Sequence, residues 1–206
     1  MALYRERILP YFLHRGMAGE RFDQYRNDVV ATARGNVLEI GFGSGLNLAH
    51  YPNLVEKVTG IEPNPGMRKW AVRTMHEYEF PVTLLDMDAQ RLGFDDGEFD
   101  TVVSTWTMCS IPNLHLALSE AMRVLKPGGQ LLFIEHGLSP EPKLQKWQNM
   151  ATPFSQILFD GCHTNRMISE FITQAGFSLD GLKNFFLPGF PKVGGYIYQG
   201  IARKSA

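Results

Sequence analysis

Short apolar runs and amphipathic stretches alternate through the middle of this chain. Val37-Leu38 with Ile40, Lys57 to Ile61, Val82 to Leu85, Phe99 to Thr105 and Gln130 to Ile134 have the length of strands, and several are rich in β-branched residues. Leu46 to Tyr51, Met67 to Tyr78 and Leu114 to Leu125 read as the helices between them. Pro63-Asn64-Pro65-Gly66 punctuates ahead of the second helix, and Lys126-Pro127-Gly128-Gly129 stops the third. Strand and helix alternating at this pitch predict βαβ units, hence a mostly parallel sheet with helices on both faces and right-handed crossovers.

The two ends of the chain follow other patterns. Residues 1 to 34 are helical and amphipathic, with Leu3, Ile8, Leu9, Phe12 and Leu13 among basic side chains and Pro10 ending or kinking the first piece. Such a helix either packs across the mouth of the domain or lies on a membrane surface. Towards the other end, Pro142 to Phe159 and Thr164 to Ala175 read as helices, the latter with Thr164 as its cap. Ser178 to Leu187 and Tyr196 to Arg203 are strands whose short connection allows only antiparallel pairing. The expectation is a single α/β domain over 1–206. It divides into an N-terminal helical cap (1–34), a ligand-binding half (35–136) and a part of helices and closing strands (137–206).

Polar residues then stand out by position. Three glycines, Gly41, Gly43 and Gly45, leave the first strand at alternate positions, and Glu39 is a carboxylate inside that otherwise apolar strand. A glycine turn between strand and helix lets a ligand approach the backbone, and a buried carboxylate needs a partner that a cationic ligand group would supply. Glu62, Asp88, Ser104-Thr105 and Glu135-His136 end the later strands. In open α/β sheets ligands bind beyond those ends, so five strand ends converge on one crevice.

Composition narrows the classes of partner. The 206 residues carry a formal net charge of −1, which leaves no footprint for nucleic acid. Two cysteines, Cys109 and Cys162, have neither metal-site nor disulfide-framework spacing, so they read as reduced core thiols and no metal site is expected. No apolar run reaches the length of a spanning helix and the N-terminus lacks a signal-peptide core, so the expected location is cytoplasmic. The dinucleotide fingerprint fails, because counting from Gly41 puts Leu46 where its last glycine belongs. Glu62 suits the ribose diol of any nucleoside cofactor.

The combination Glu39-Ile40-Gly41-Phe42-Gly43-Ser44-Gly45, Ile61-Glu62-Pro63-Asn64, Asp88-Ala89 and Lys126-Pro127-Gly128-Gly129 resembles the class I S-adenosylmethionine-dependent methyltransferases. Thr105 to Ile111, Ile134-Glu135-His136 and Leu158-Phe159-Asp160-Gly161-Cys162 are similar to the methyltransferase-like family that includes membrane-associated thiol S-methyltransferases. Vertebrate members carry an N-terminal hydrophobic membrane segment that has no counterpart here. The resemblance implies a Rossmann-like, doubly wound sheet of seven strands with an antiparallel last strand. It also implies S-adenosyl-L-methionine as cofactor and S-adenosyl-L-homocysteine as product. Backbone around Gly41 to Gly45 would hold the methionine portion, with Glu39 answering its positive charge. Glu62 would take the ribose hydroxyls, Pro63 and Asn64 would border the adenine, and Asp88 and the Ala89 N–H would meet its edge. Thr105 would close the floor near the sulfonium.

For the acceptor, a small molecule is expected, a thiol or another soft, apolar nucleophile. His136 is the preferred general base, His163 the second candidate, and Asp160 either orients a histidine or caps the following helix. Trp106, Trp147, Phe154 and Phe190 are candidates for an apolar wall. Rival readings are methylation of a quinone precursor or phospholipid headgroup, a cofactor-binding protein without transferase activity, and a dinucleotide oxidoreductase. Oligomeric state is not legible in the sequence.

Overall fold

A computed structural model describes residues 3–205. Seven strands form one sheet: β1 (Gly35–Ile40), β2 (Val55–Ile61), β3 (Val82–Leu85), β4 (Phe99–Thr105), β5 (Leu125–His136), β6 (Ser178–Phe186) and β7 (Tyr196–Arg203). Their order is β3-β2-β1-β4-β5-β7-β6. Every pairing from β3 to β5 is parallel, and β7 runs antiparallel to both its neighbours. The strand order reverses between β1 and β4, so the crevice of a doubly wound sheet opens at their carboxyl ends.

Seven α-helices accompany the sheet among the described residues: α1 (Leu9–Met17), α2 (Glu20–Val30), α3 (Pro65–Thr74), α4 (Leu114–Val124), α5 (Pro142–Leu158), α6 (Ile168–Gln174) and the single turn α7 (Lys192–Gly195). Alternation along β1 sends Leu38 and Ile40 into one core with Ile61, Val102 and Leu118, and Val37 into the other with Val29, Val58 and Leu132. Glu39 shares the face of Val37, beneath α2. Phe42 folds back over β2 at Gly60, where a Cβ would collide with its ring. Gly41 likewise leaves no room for a Cβ beside the Thr107 side chain, which locks the turn after β1 against the turn after β4.

Several local expectations are corrected. Leu46 to Tyr51 forms only a 3-10 turn, Leu48–His50, because Asn47 and Tyr51 turn inwards to a buried carboxylate. Pro10 stands where the first helical piece changes, with a π-helical turn at Tyr4–Ile8 ahead of it and α1 beginning at Leu9. Thr164 caps nothing: its hydroxyl bonds Thr152 Oγ1 at 3.0 Å, and α6 starts at Ile168.

The N-terminal segment lies across the mouth of the domain. Asn64 caps α3 through Gly66 and Met67, and donates from Nδ2 to the Arg5 carbonyl at 3.0 Å. Tyr4 donates to the Leu158 carbonyl, Arg5 pairs with Asp160, and His14 Nδ1 lies 2.8 Å from Ser44 Oγ. Among the described residues no helix is long and apolar enough to cross a membrane.

The Phe42–Gly60 contact gives a stability prediction. Gly60→Val forces the Phe42 ring out of its seat and should cost about 1–3 kcal/mol, the usual price of overpacking. Urea denaturation read by far-UV circular dichroism checks it, and a midpoint unchanged from wild type would show that the ring moves freely.

Candidate active site

The turn after β1 is built on glycines in the left-handed region, φ +73° at Gly41 and +59° at Gly43, which other L-residues rarely adopt. Gly43 N–H donates to Glu62 Oε2 at 2.9 Å, and Asn64 N–H donates to Glu62 Oε1 at 2.8 Å. The Glu62 carboxylate, at the end of β2, thus ties the glycine turn to the start of α3. Burial pushes its pKa up, and these two N–H groups pull back.

Glu39 has its partners within the protein, which corrects the expectation that it awaits a cationic ligand. It is 1% exposed, with Asn47 Nδ2 donating to Oε1 at 2.8 Å and the Tyr51 hydroxyl donating to Oε2 at 2.7 Å. Burial raises its pKa from 4.5 to about 7 against those donors and the Arg26 charge. Asn47 Nδ2 also donates to Thr105 Oγ1 at 3.0 Å, while Asn47 Oδ1 is buried with no hydrogen-bond partner among the described residues. Arg26 is buried over the Trp106 ring at 5.2 Å, with Nη1 paired to Asp23 Oδ1 at 3.6 Å and neither Nε nor Nη1 hydrogen-bonded among the described residues. Asn47, Tyr51 and Arg26 were not legible as site residues, because an asparagine in a turn and an arginine on an amphipathic helix look ordinary.

At the ends of β4 and β5 a third buried carboxylate organises the loop. Glu135 Oε1 accepts from Thr107 N at 2.7 Å, Met108 N at 2.9 Å and Ser104 Oγ at 3.2 Å. The chain passes through Trp106 at φ +50°, a left-handed position that costs a non-glycine residue on the order of 1 kcal/mol. The Arg26 and Phe22 contacts hold that ring in place. Burial, then the neighbouring Cys109 charge, raise the Glu135 pKa to about 8.

Beyond this loop the two cysteines, read as unrelated core thiols, come together around His136. Cys162 Sγ lies 3.2 Å from His136 Nε2, and the donor atoms of Cys109, His136 and Cys162 are all within 4.8 Å of one another. Hydrogen bonding from Cys162 and the His136 charge hold the Cys109 thiol well below its usual range. Burial alone would lower the His136 pKa, but the Cys109 charge overrides it and carries it to about 9. His136, expected as the general base, therefore sits inside a buried cysteine–histidine cluster rather than alone at the strand end. His163 is committed elsewhere, with Nδ1 donating to the Cys109 carbonyl at 3.1 Å and Gln156 Nε2 lying 2.6 Å from Nε2. Asp160 pairs with Arg5 and orients neither histidine.

The remaining predicted residues are scattered around this crevice. Pro63 passes its carbonyl to Arg68 at 3.0 Å. Asp88 is exposed, with both carboxylate oxygens taken by the Gln90 amide at 3.0 and 2.8 Å, and Ala89 beside it is buried. Of the expected aromatic wall, Phe190 packs edge-on to Phe22 and Phe22 to Trp106, whereas Trp147 and Phe154 are 61% and 68% exposed on α5.

The family described as a methyltransferase domain matches residues 38–133. The thiol S-methyltransferase TMT1A of Homo sapiens is 31% identical over 194 residues, 87% of this chain and 79% of the relative. The chain belongs to the class I S-adenosylmethionine-dependent methyltransferases. The thiol S-methyltransferase TMT1B of Rattus norvegicus is 34% identical over 165 residues, which cover 77% of this chain and 66% of that relative's length. A phosphatidylethanolamine N-methyltransferase of Cereibacter sphaeroides is 32% identical over 161 residues, 73% of this chain and 78% of the relative. The fold is shared with phosphoethanolamine N-methyltransferase 2 of Haemonchus contortus, solved with phosphomonomethylethanolamine and S-adenosylhomocysteine. That match has TM-score 0.72 at 16% identity and covers 100% of this chain and 59% of that one.

In this methyltransferase the buried Glu39 makes stability pH-dependent. Its folded pKa lies above its unfolded value, so the stability it contributes is full below pH 4.5 and is lost as pH rises to about 7. A shift of that size is worth on the order of 3 kcal/mol. Glu39→Gln should therefore match wild type at pH 4.5 and exceed it by a few kcal/mol at pH 8. Denaturant titrations at the two pH values check this, and equal stabilities at pH 8 would refute it.

Proposed function

We propose that the protein methylates a small thiol, with S-adenosylmethionine held along the ends of β1, β2 and β3. The single observation that carries the acceptor is the likeness to the two thiol S-methyltransferases, at 31% and 34% identity.

The residues at the ends of β1 and β2 fit that cofactor. Asn47 Oδ1 is a buried acceptor without a partner beside the glycine turn, the kind of atom an ammonium group satisfies. Each Glu62 oxygen accepts one backbone N–H and keeps acceptor capacity for a ribose hydroxyl. Around the crevice, Gly41, Gly43 and Gly45 would line the methionine portion, Pro63 and Asn64 the adenine, and Thr105 the floor. Asp88 already receives an amide NH2 from Gln90, the same donor chemistry as an exocyclic amine, and Ala89 adjoins it. Glu39 would act through Asn47 and Tyr51 by orienting them.

The cofactor supplies an electrophilic methyl group, and the protein's task is alignment in a dry site. A new S–C bond forms from the acceptor sulfur to the methyl carbon as the methyl–sulfonium bond breaks. The bonding pair returns to the cofactor's sulfur as a neutral thioether, and the thiol proton is released. Thiols ionise near neutral pH, so modest assistance from the cysteine–histidine cluster suffices.

A second reading rests on α5. Its buried residues are Leu144, Gln148, Thr152 and Ser155, three of them polar, whereas Trp147, Met150, Phe154, Ile157 and Leu158 face outwards. That inverted amphipathicity suits an apolar surface or interface, and with it a phospholipid or quinone-precursor acceptor. Labelled S-adenosylmethionine offered with thiols, quinols and phospholipid vesicles separates the readings. We expect label on the thiols, and transfer to lipid alone would overturn the thiol assignment. Glu62→Ala should weaken S-adenosylhomocysteine binding by about 1.5–3 kcal/mol, the worth of hydrogen bonds to a charged acceptor. Calorimetry measures it, and unchanged affinity would remove Glu62 from the ribose.

A further inference from the structure

We propose that Cys109, His136 and Cys162 form a three-ligand zinc site whose fourth position receives the sulfur of the acceptor. The zinc site rests on geometry alone, whereas the identity of the fourth ligand rests on the thiol reading above.

Two thiols and an imidazole are a donor set suited to Zn²⁺, and sites with three protein ligands leave one position for water or substrate. Tetrahedral coordination with ordinary Zn–S and Zn–N lengths sets the donors about 3.5–3.8 Å apart. Here Cys162 Sγ and His136 Nε2 are 3.2 Å apart and all three donors fall within 4.8 Å, so an ion needs only small side-chain movements. The three ligands come from the loop after β4, the end of β5 and the loop after α5, and the backbone holds those loops together independently of the thiols. His163 N–H donates to the Cys109 carbonyl at 2.8 Å, and the His163 ring donates to the same oxygen. Ser155 Oγ donates to the Cys162 carbonyl at 2.8 Å. Gly161, at φ +90°, brings its loop so close to the Ser110 carbonyl that a Cβ there would sit 3.1 Å from it. Ligands positioned in advance by outer contacts of this kind are what a metal site requires.

The chemistry closes. An acceptor thiol binding Zn²⁺ forms a Zn–S bond and loses its proton to solvent, leaving a thiolate at neutral pH. That sulfur's lone pair makes the new bond to the methyl carbon, and the methyl–sulfonium bond breaks with its electrons staying on the cofactor's sulfur. The product is a neutral thioether, a poorer ligand than the thiolate, and leaves the ion.

Cobalt(II) titration of the 206-residue chain, metal-stripped and reduced, tests the site. We expect one equivalent bound, with thiolate-to-cobalt charge-transfer absorption and the intense visible bands of a tetrahedral ion. Cys109→Ser, Cys162→Ser and His136→Ala should each weaken Zn²⁺ binding at least ~100-fold, the upper end of what loss of an outer-shell partner does. S-adenosylhomocysteine binding, measured in parallel, should persist and report that the variants fold. Adding 2-mercaptoethanol should alter the visible bands. Absence of charge transfer in wild type, or equal metal affinity in folded variants, overturns the zinc site. Undiminished thiol methylation by chelator-treated, metal-free protein overturns its role in the reaction while leaving the thiol reading intact. A formed site whose bands ignore thiols, in a protein that methylates only lipid, overturns the fourth-ligand assignment together with that reading.

Discussion

Three carboxylates, Glu39, Glu62 and Glu135, are buried at the carboxyl edge of the sheet, and each is held by donors from a loop that follows a strand. Removing a carboxylate from water is costly unless hydrogen bonds replace the solvent, so each one dictates the path of its loop. Glu39 draws in Asn47 and Tyr51, and thereby shortens the helix after the glycine turn. Glu62 binds that turn to the cap of α3. Glu135 collects two backbone N–H groups and so forces Trp106 into a left-handed conformation. The crevice at the switch point is the space these three anchors leave between them.

The N-terminal segment closes that crevice from above. Its contacts reach Ser44 in the glycine turn, Asn64 at the start of α3, and Leu158 and Asp160 at the end of α5. Most of them are polar and exposed, the kind that contribute modestly one at a time. On the far side of the crevice, α5 turns its polar face inwards around Gln148, which bonds Ser139, Gly137, Thr164 and Val193. That buried amide ties the closing segments together and leaves the apolar stripe of the helix outside.

The alternation of apolar runs and helical stretches determined the seven strands, their largely parallel pairing and the antiparallel closure, because period and loop length are local properties of a chain. The strand-end carboxylates likewise pointed to one crevice, while the cofactor class came from the resemblance of the motifs around them to the class I methyltransferases. What Glu39 touches was decided by tertiary structure, since its donors lie eight and twelve residues away in a turn that reads as helix. The inward polar face of α5 was also out of reach, because periodicity reveals that a helix has two faces without saying which one meets the core. Cys109 and Cys162 are 53 residues apart in sequence, with His136 between them. No spacing rule joins them, and only the folding of two separate loops onto the end of β5 makes them neighbours.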